Sequence, residues 1–178
     1  MSKTNQFVFQ GLHIVAWIIF VGLCIEAGAI LVNFAFAMFK PETVSHLYEK
    51  LNLSQMYHTN VWAFVVMYSF IIAISVLKAY LFYIVIKLMS KLDLTRPFNA
   101  FVSEQITQLS YYTLSIGLVG YIARESARNL EHHGYDIDQL SKFWPDSQAF
   151  ILMGGVIYVI ALIFQKGIEL QTENDLTV

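Results

Sequence analysis

"LSYYTLSIGLVGYIA", residues 109–123, decides how this chain folds. It is shorter and more polar than a membrane-spanning segment usually is, with Ser110, Thr113 and Ser115 inside it. A spanning helix needs about 20 mostly apolar residues, because the hydrocarbon core is about 30 Å thick and a helix rises about 1.5 Å per residue. Flanking sequence supplies the missing length at both ends, and the helix is expected to run on to His133, where Gly134 ends it as a left-handed cap residue. Counted as a span, the segment makes the number of crossings even and puts both termini on one side.

The other crossings are plainer. Residues 12–36 ("LHIVAWIIFVGLCIEAGAILVNFAF"), 61–86 ("VWAFVVMYSFIIAISVLKAYLFYIVI") and 149–164 ("AFILMGGVIYVIALIF") are long apolar runs. The chain as a whole is 57% hydrophobic and only 13% charged, with a mean hydropathy of +0.56. Soluble domains carry about twice that share of charge, because a water-facing surface requires it. The reading is an all-α integral membrane protein, a single four-helix transmembrane bundle over residues 1–178 with short amphipathic interfacial helices.

Lys3, the apolar run after it and "AGA" at 27–29 imitate a cleavable signal. Apolarity continues through Met38 and Phe39, beyond a signal core, so the segment is read as a span. The positive-inside rule does not set orientation. With the N-terminus inside, Lys3, Lys87, Lys91, Arg96 and Lys166 face Lys40, Lys50, Arg124, Arg128 and Lys142 in equal number. Lys78 snorkelling toward the end of Lys87, and burial of Arg124, tip the balance to cytoplasmic termini.

The first connection, "KPETVSHLYEKLNLSQMYHTN", places Val44, Leu47, Tyr48 and Leu51 at helical spacing after Pro41, as in an amphipathic helix lying on the membrane. In the second connection Pro97 suits a helix start, and Phe98, Phe101, Val102 and Ile106 are placed to sink into the interface. The tail "QKGIELQTENDLTV" is expected to leave the membrane as a helical stub.

The loop "LDLTRPFNAFVSEQI" and the closing "GGVIYVIALIFQKGIELQTENDLTV" resemble the small four-span bacterial membrane proteins catalogued as domain of unknown function 2975. The resemblance implies a protein of the bacterial cytoplasmic (inner) membrane. Members are often encoded beside small helix-turn-helix regulators, which implies a sensory or regulatory role. It carries over no catalytic residue.

Faces can be read from spacing. Gly22, Glu26, Ala29 and Asn33 share one side of the first helix; Ser110, Thr113, Gly117, Gly120 and Arg124 one side of the third; Gly154, Tyr158, Ala161 and Gln165 one side of the fourth. Ser69, Ala73, Val76 and Tyr80 form a weaker equivalent on the second. Membrane helices pack through small residues, with polar side chains bonding across the seam. These stripes are therefore expected to face one another.

Glu26 lies about 21 Å along its helix and Arg124 about 22 Å along a parallel one. A charge inside the bilayer costs a few kcal/mol on insertion scales, so it needs a partner or water. The sharp expectation is a Glu26–Arg124 ion pair, with Arg128 and Tyr158 as secondary partners and Asn33 and Gln165 completing a buried polar cluster. The plain alternative is a neutral Glu26 hydrogen-bonded to Asn33, a tyrosine or a backbone carbonyl. A third reading gives Glu26 a working role in proton, ion or ligand handling.

His46, His58, His132 and His133 fall in the connections on one side, near Asp136, and such a set could hold Zn²⁺ or a similar metal. The spacing matches no established motif, and solvated histidines are the ordinary reading. No other cofactor is expected: only His13 comes near a span, which leaves haem without axial ligands. The single cysteine, Cys24, excludes a cysteine-pair electron relay. Trp17, Trp62, Trp144, Tyr111 and Tyr112 read as interfacial belts. A net charge of −2, with no basic stripe, argues against direct nucleic-acid binding.

Three functions compete. The leading one is a non-enzymatic membrane protein that senses, binds a ligand or regulates, with the bilayer, other copies of the chain and a regulatory protein as the partners in view. The second is a small oligomeric channel or transporter with Glu26 and Arg124 on a polar path. The third is a membrane enzyme acting on a lipid-like substrate.

Overall fold

A computed structural model describes residues 3–92, 98–144 and 146–176. Five α-helices account for most of them: α1 (Lys3–Phe39), α2 (Ser54–Thr59), α3 (Val61–Lys91), α4 (Ala100–His132) and α5 (Ser147–Leu176). Short 3₁₀ turns occupy Pro41–His46, Tyr48–Lys50 and Asp138–Phe143, and no strand occurs among the described residues. Phe7–Phe39, Val61–Lys91 and the segment that contains α5 are long and apolar enough to cross a membrane. The four long helices measure about 45–55 Å at 1.5 Å per residue, more than a hydrocarbon core requires.

The long helices do not close into a ring. α1 packs on α3, α3 on α4, and α4 most extensively on α5, while α1 forms no packed interface with α4 or α5. Antiparallel contacts fix the register along this row. The Tyr80 and Tyr112 rings lie 4.6 Å apart, and the Tyr68 hydroxyl donates to the Ile30 carbonyl at 3.3 Å. His13 Nε2 and Ser90 Oγ, at 3.3 Å, join the other end of α1 to α3.

Two apolar cores hold the row. The larger, at the end where α1 and α4 finish, joins Ile30 and Ala37 of α1 to Phe64, Met67, Tyr68 and Ile71 of α3 and Ala127 of α4. The connections fold over it and contribute Val44, Leu47, Leu51, Leu53, Met56, Leu140 and Phe143. We call this end the cap. The smaller core, at the opposite end, joins Val102 and Ile106 of α4 to Ala161 of α5, with Leu88, Leu92 and Phe101 against them.

The first connection departs from the sequence expectation. Val44, Leu47 and Leu51 are buried inside protein, not laid on lipid. Glu49 takes φ 54°, a left-handed turn that breaks any continuous helix. The chain doubles back there, with Leu47 N–H donating to the Leu51 carbonyl at 3.0 Å and Leu53 N–H to that of Val44 at 3.2 Å. α4 starts at Ala100, near the expected helix start, but its first turns are packed instead of interfacial. The Asn99 side chain accepts from Val102 N–H at 2.9 Å, so Val102 and Ile106 belong to a helix packed on α3 and α5 rather than to an interfacial entry. Pro97 lies outside the described residues. At the other end Gly134, φ 84°, closes α4 as expected, donating to the Glu131 carbonyl at 2.9 Å.

Outward surfaces stay apolar. Phe7, Ile14, Ile18, Ile25, Val32 and Phe36 of α1 and Leu152, Val159 and Ile163 of α5 are each more than half exposed. Apolar patches of this extent mark contact with a membrane or a partner. Tyr111 and Tyr112 lie near the middle of α4, and Trp144 packs on the cap core, so only Trp17 and Trp62 remain as exposed tryptophans of a belt.

Candidate functional site

The face that α1 turns to α3 is Ala16, Leu23, Ala27, Ile30, Phe34 and Ala37, one step around from the expected stripe. Gly22 is exposed with open space around it, and Asn33 spends its amide on the Ala29 carbonyl of its own helix at 2.7 Å. Glu26, half-buried, sits on the flank of this face. Its charge is felt by Tyr48, from the folded-back first connection.

Among the described residues no Glu26–Arg124 ion pair occurs. Ion pairs among the described residues are Arg128–Glu125 at 3.7 Å and Lys166–Glu169 at 2.7 Å, both exposed and each within one helix. The reason is lateral: α3 stands between α1 and α4 in the packing order. Height contributes as well. Arg124 lies as far beyond Tyr112 as Tyr68 lies from Tyr80, so Arg124 comes level with Tyr68 and Ile30, about 6 Å nearer the cap than Glu26.

Tyr48 reports on this corner. Its phenol is pushed above the ordinary tyrosine range, first by burial, then by the Glu26 carboxylate, then by Glu49. A raised phenol pKa stabilises the fold below the usual range, and that contribution is lost as pH rises through the raised value. Glu26→Gln is expected to bring the Tyr48 titration down toward the ordinary range, read by ultraviolet difference absorbance against a Tyr48→Phe blank. An unmoved titration would separate the two side chains.

The remaining expected cluster is dispersed. Tyr158 is 39% exposed, with its ring 6.1 Å from that of Tyr111. Gln165 is exposed and lines a groove at the far end with Ser103, Glu104, Thr107 and Gln108. The stripe on α3 is also misplaced: Ser69, Val76 and Tyr80 are exposed, and the packed face is Phe64, Met67, Tyr68, Ile71, Ile74 and Ser75. The seam between α4 and α5 follows the expected stripes in part: Ser110, Thr113, Gly117, Gly120, Gly154 and Ala161 are buried, Gly117 lies against Ile151 and Ser147, and the Ser110 hydroxyl donates to the Gly154 carbonyl at 3.0 Å. Gln105, which the sequence did not single out, is 1% exposed and has no hydrogen-bond partner among the described residues for either amide atom.

The histidines do not assemble. Among the described residues no three His, Cys, Asp or Glu side chains come together to hold a metal ion. His133 Nδ1 lies 2.7 Å from the Asn129 carbonyl, His46 Nδ1 2.8 Å from Ser45 Oγ, and His58 sets its ring edge-on to Tyr57. Asp136 accepts from Asp138 N–H at 3.1 Å, closing the turn into the third connection. Each is a local contact within its own segment.

What the structure does bring together lies on the cap-side half of α4, which is grooved on both flanks. Against α3, Asn60, Trp62, Ala63, Val66 and Met67 face Ser126, Asn129, Leu130, His133 and Tyr135 across a groove of about 650 Å³. Against the third connection and the start of α5, Tyr121, Arg124, Glu125, Arg128 and Glu131 face Trp144, Ser147 and Gln148 across one of about 470 Å³. Arg124 and Arg128 thus line one groove together, and Glu26 is not among its lining residues. Asn60, on the wall of the first groove, also caps α3 by accepting from Trp62 N–H at 3.0 Å and Ala63 N–H at 3.3 Å.

No protein-family model, curated protein or solved structure matches this chain.

Proposed function

We propose that this is a non-enzymatic four-span protein of the bacterial inner membrane, with cytoplasmic termini, that binds a small ligand at its cap and serves a sensory or regulatory role. The groove between α3 and α4 carries the ligand-binding part. Its volume of about 650 Å³ suits a small molecule. Its walls combine Trp62, Val66, Met67 and Tyr135 with the polar Asn60, Ser126, Asn129 and His133, the mixture that small-molecule sites use. A ligand there touches both helical pairs of the row, so its occupancy is felt by α3 and α4 together.

The fourth crossing is supported by how α4 distributes its polarity. Ser110 and Thr113 are buried, whereas the residues it exposes between them and the cap include Leu118, Tyr121 and Ile122. Serine and threonine hydroxyls that donate within the protein are tolerated inside a bilayer. Thr113 does so to the Leu109 carbonyl at 2.7 Å and Ser115 to that of Tyr111 at 2.8 Å.

The ligand-binding reading is tested by thermal unfolding of the protein in nanodiscs against a panel of small aromatic and amphiphilic compounds. Compounds that raise the midpoint of the wild type are expected to lose that effect with Trp62→Ala and Asn129→Leu. Stabilisers acting equally on both variants would place binding elsewhere.

A further inference from the structure

The second groove has a different chemistry and a definite depth. On α4 the exposed residues change from Leu118, Tyr121 and Ile122 to Arg124, Glu125 and Arg128 within one turn. On α5 the same change occurs in the opposite chain direction, from Met153 and Leu152 to Gln148 and Asp146. Both walls of the groove therefore pass from apolar to polar surface toward the cap, the change on α5 lying about 7 Å deeper than that on α4 in the register set by Gly117 and Ile151. Tyr121 and the partly buried Trp144 line it beside the change on α4.

The charges are ordered along this opening. Arg124 lies nearest the apolar surface, Arg128 one turn farther out, and Glu131 about 10 Å beyond Arg124 along the helix. Arg128 pairs with Glu125 at 3.7 Å, but both side chains are largely exposed, and such a pair contributes little and exchanges readily for a stronger anion. Arg124 is already engaged within the protein, and a guanidinium has several N–H donors, so it can serve a second acceptor. Paired guanidinium groups one helical turn apart suit the several oxygens of one phosphate. An occupant must then offer a phosphate at the level where the apolar surface of α4 ends, with acyl chains running down past Tyr121, Ile122 and Leu152.

We propose that the groove formed by Arg124, Arg128, Tyr121, Trp144 and Gln148 is a binding site for the phosphate of a phospholipid headgroup, on the flank of α4 opposite the small-molecule groove. A soluble phosphate shares the recognising chemistry but lacks the chains. The assignment is independent of what the other groove holds, since the two share no lining residue.

Native mass spectrometry of the detergent-solubilised protein with added phosphatidylglycerol tests the proposal. The expected result is retained lipid on the wild type, weakened about tenfold or more in Arg124→Gln/Arg128→Gln, as loss of a charge-assisted hydrogen bond requires. Lys40→Gln, an exposed cation outside the groove, is expected to leave retention unchanged. Arg124→Lys/Arg128→Lys keeps the charge and is expected to retain lipid more strongly than the glutamine pair. Circular dichroism checks the fold of both pairs; where the glutamine pair misfolds, Arg128→Gln alone, at an exposed side chain, is expected to weaken retention in its place, and unchanged retention there would overturn the proposal. Equal retention in the lysine and glutamine pairs, both folded, would overturn the proposal. So would displacement of the lipid by inorganic phosphate at equal concentration, which would reassign the groove to a soluble anion.

Discussion

Gly117→Leu is expected to separate α4 from α5. A Cβ built at Gly117 falls 2.7 Å from Ile151 Cγ1, 2.9 Å from the Ile151 backbone nitrogen and 3.0 Å from the Ser147 carbonyl oxygen. The side-chain contact could be relieved by a rotation of Ile151, but the two backbone contacts could not, so α5 must move away bodily. Overpacking costs about 1–3 kcal/mol where side chains absorb it, and a clash with backbone lies at or above the top of that range. The Ser110–Gly154 hydrogen bond on the same seam, 3.0 Å, would lengthen with it. The checking measurement is thermal unfolding in detergent, with a drop of roughly 10 °C or more expected, or loss of the monodisperse protein altogether. Gly22→Leu and Gly28→Leu have nothing within 4 Å of the new Cβ and are expected to be tolerated, which separates a packing effect from a general aversion to leucine in these helices.

Phe64→Ala is expected to be equally severe, at the other seam. Phe64 has no exposed surface and stands among Tyr57, Phe34 and Tyr68, with ring centroids at 5.3, 6.3 and 5.6 Å. Those rings come from the cap connection, α1 and α3, so this side chain ties three segments at once. Truncating a buried phenylalanine costs about 3–5 kcal/mol, through lost burial and the cavity left behind. Because the cap core sits at one end only, the damage should be local. Hydrogen exchange is expected to rise across residues 41–60 and at the start of α3, while the α4–α5 seam keeps its protection. Uniform loss of protection would mean that the cap and the seam unfold as one unit.

Which parts of this were legible in the sequence follows from what spacing encodes. Ser110, Gly117 and Gly154 announced the α4–α5 seam correctly, because small residues at helical spacing have few uses in a membrane helix beyond close approach. The same rule misled on α1, where Gly22 and Asn33 lie beside the packed face: Gly22 has open space, and Asn33 satisfies itself within its own helix. Spacing also says which side of a helix is polar, not which neighbour covers it. A row and a closed bundle present the same stripes, and the missing Glu26–Arg124 pair is the consequence of assuming the second. The first connection was misread because Val44, Leu47 and Leu51 fit an amphipathic helix as well as they fit inward-facing turns. The left-handed Glu49 that decides between them has no signature in a non-glycine residue. The Arg124 and Arg128 groove was half visible: the cations were marked as important, but their partners Trp144 and Gln148 arrive through a turn whose path no local pattern specifies.

Everything proposed for the cap depends on α4 crossing the bilayer, since it is the one long helix not apolar enough to be recognised by composition. Single cysteines at Phe98 and Asp136, in a Cys24→Ser background, flank that helix. Reaction with a membrane-impermeant maleimide in intact cells and again after lysis reads the side of each. With four spans and cytoplasmic termini, Asp136→Cys reacts in intact cells and Phe98→Cys only after lysis. Reaction of both positions in intact cells, or of both only after lysis, would contradict a membrane-spanning α4, and with it the four-span fold.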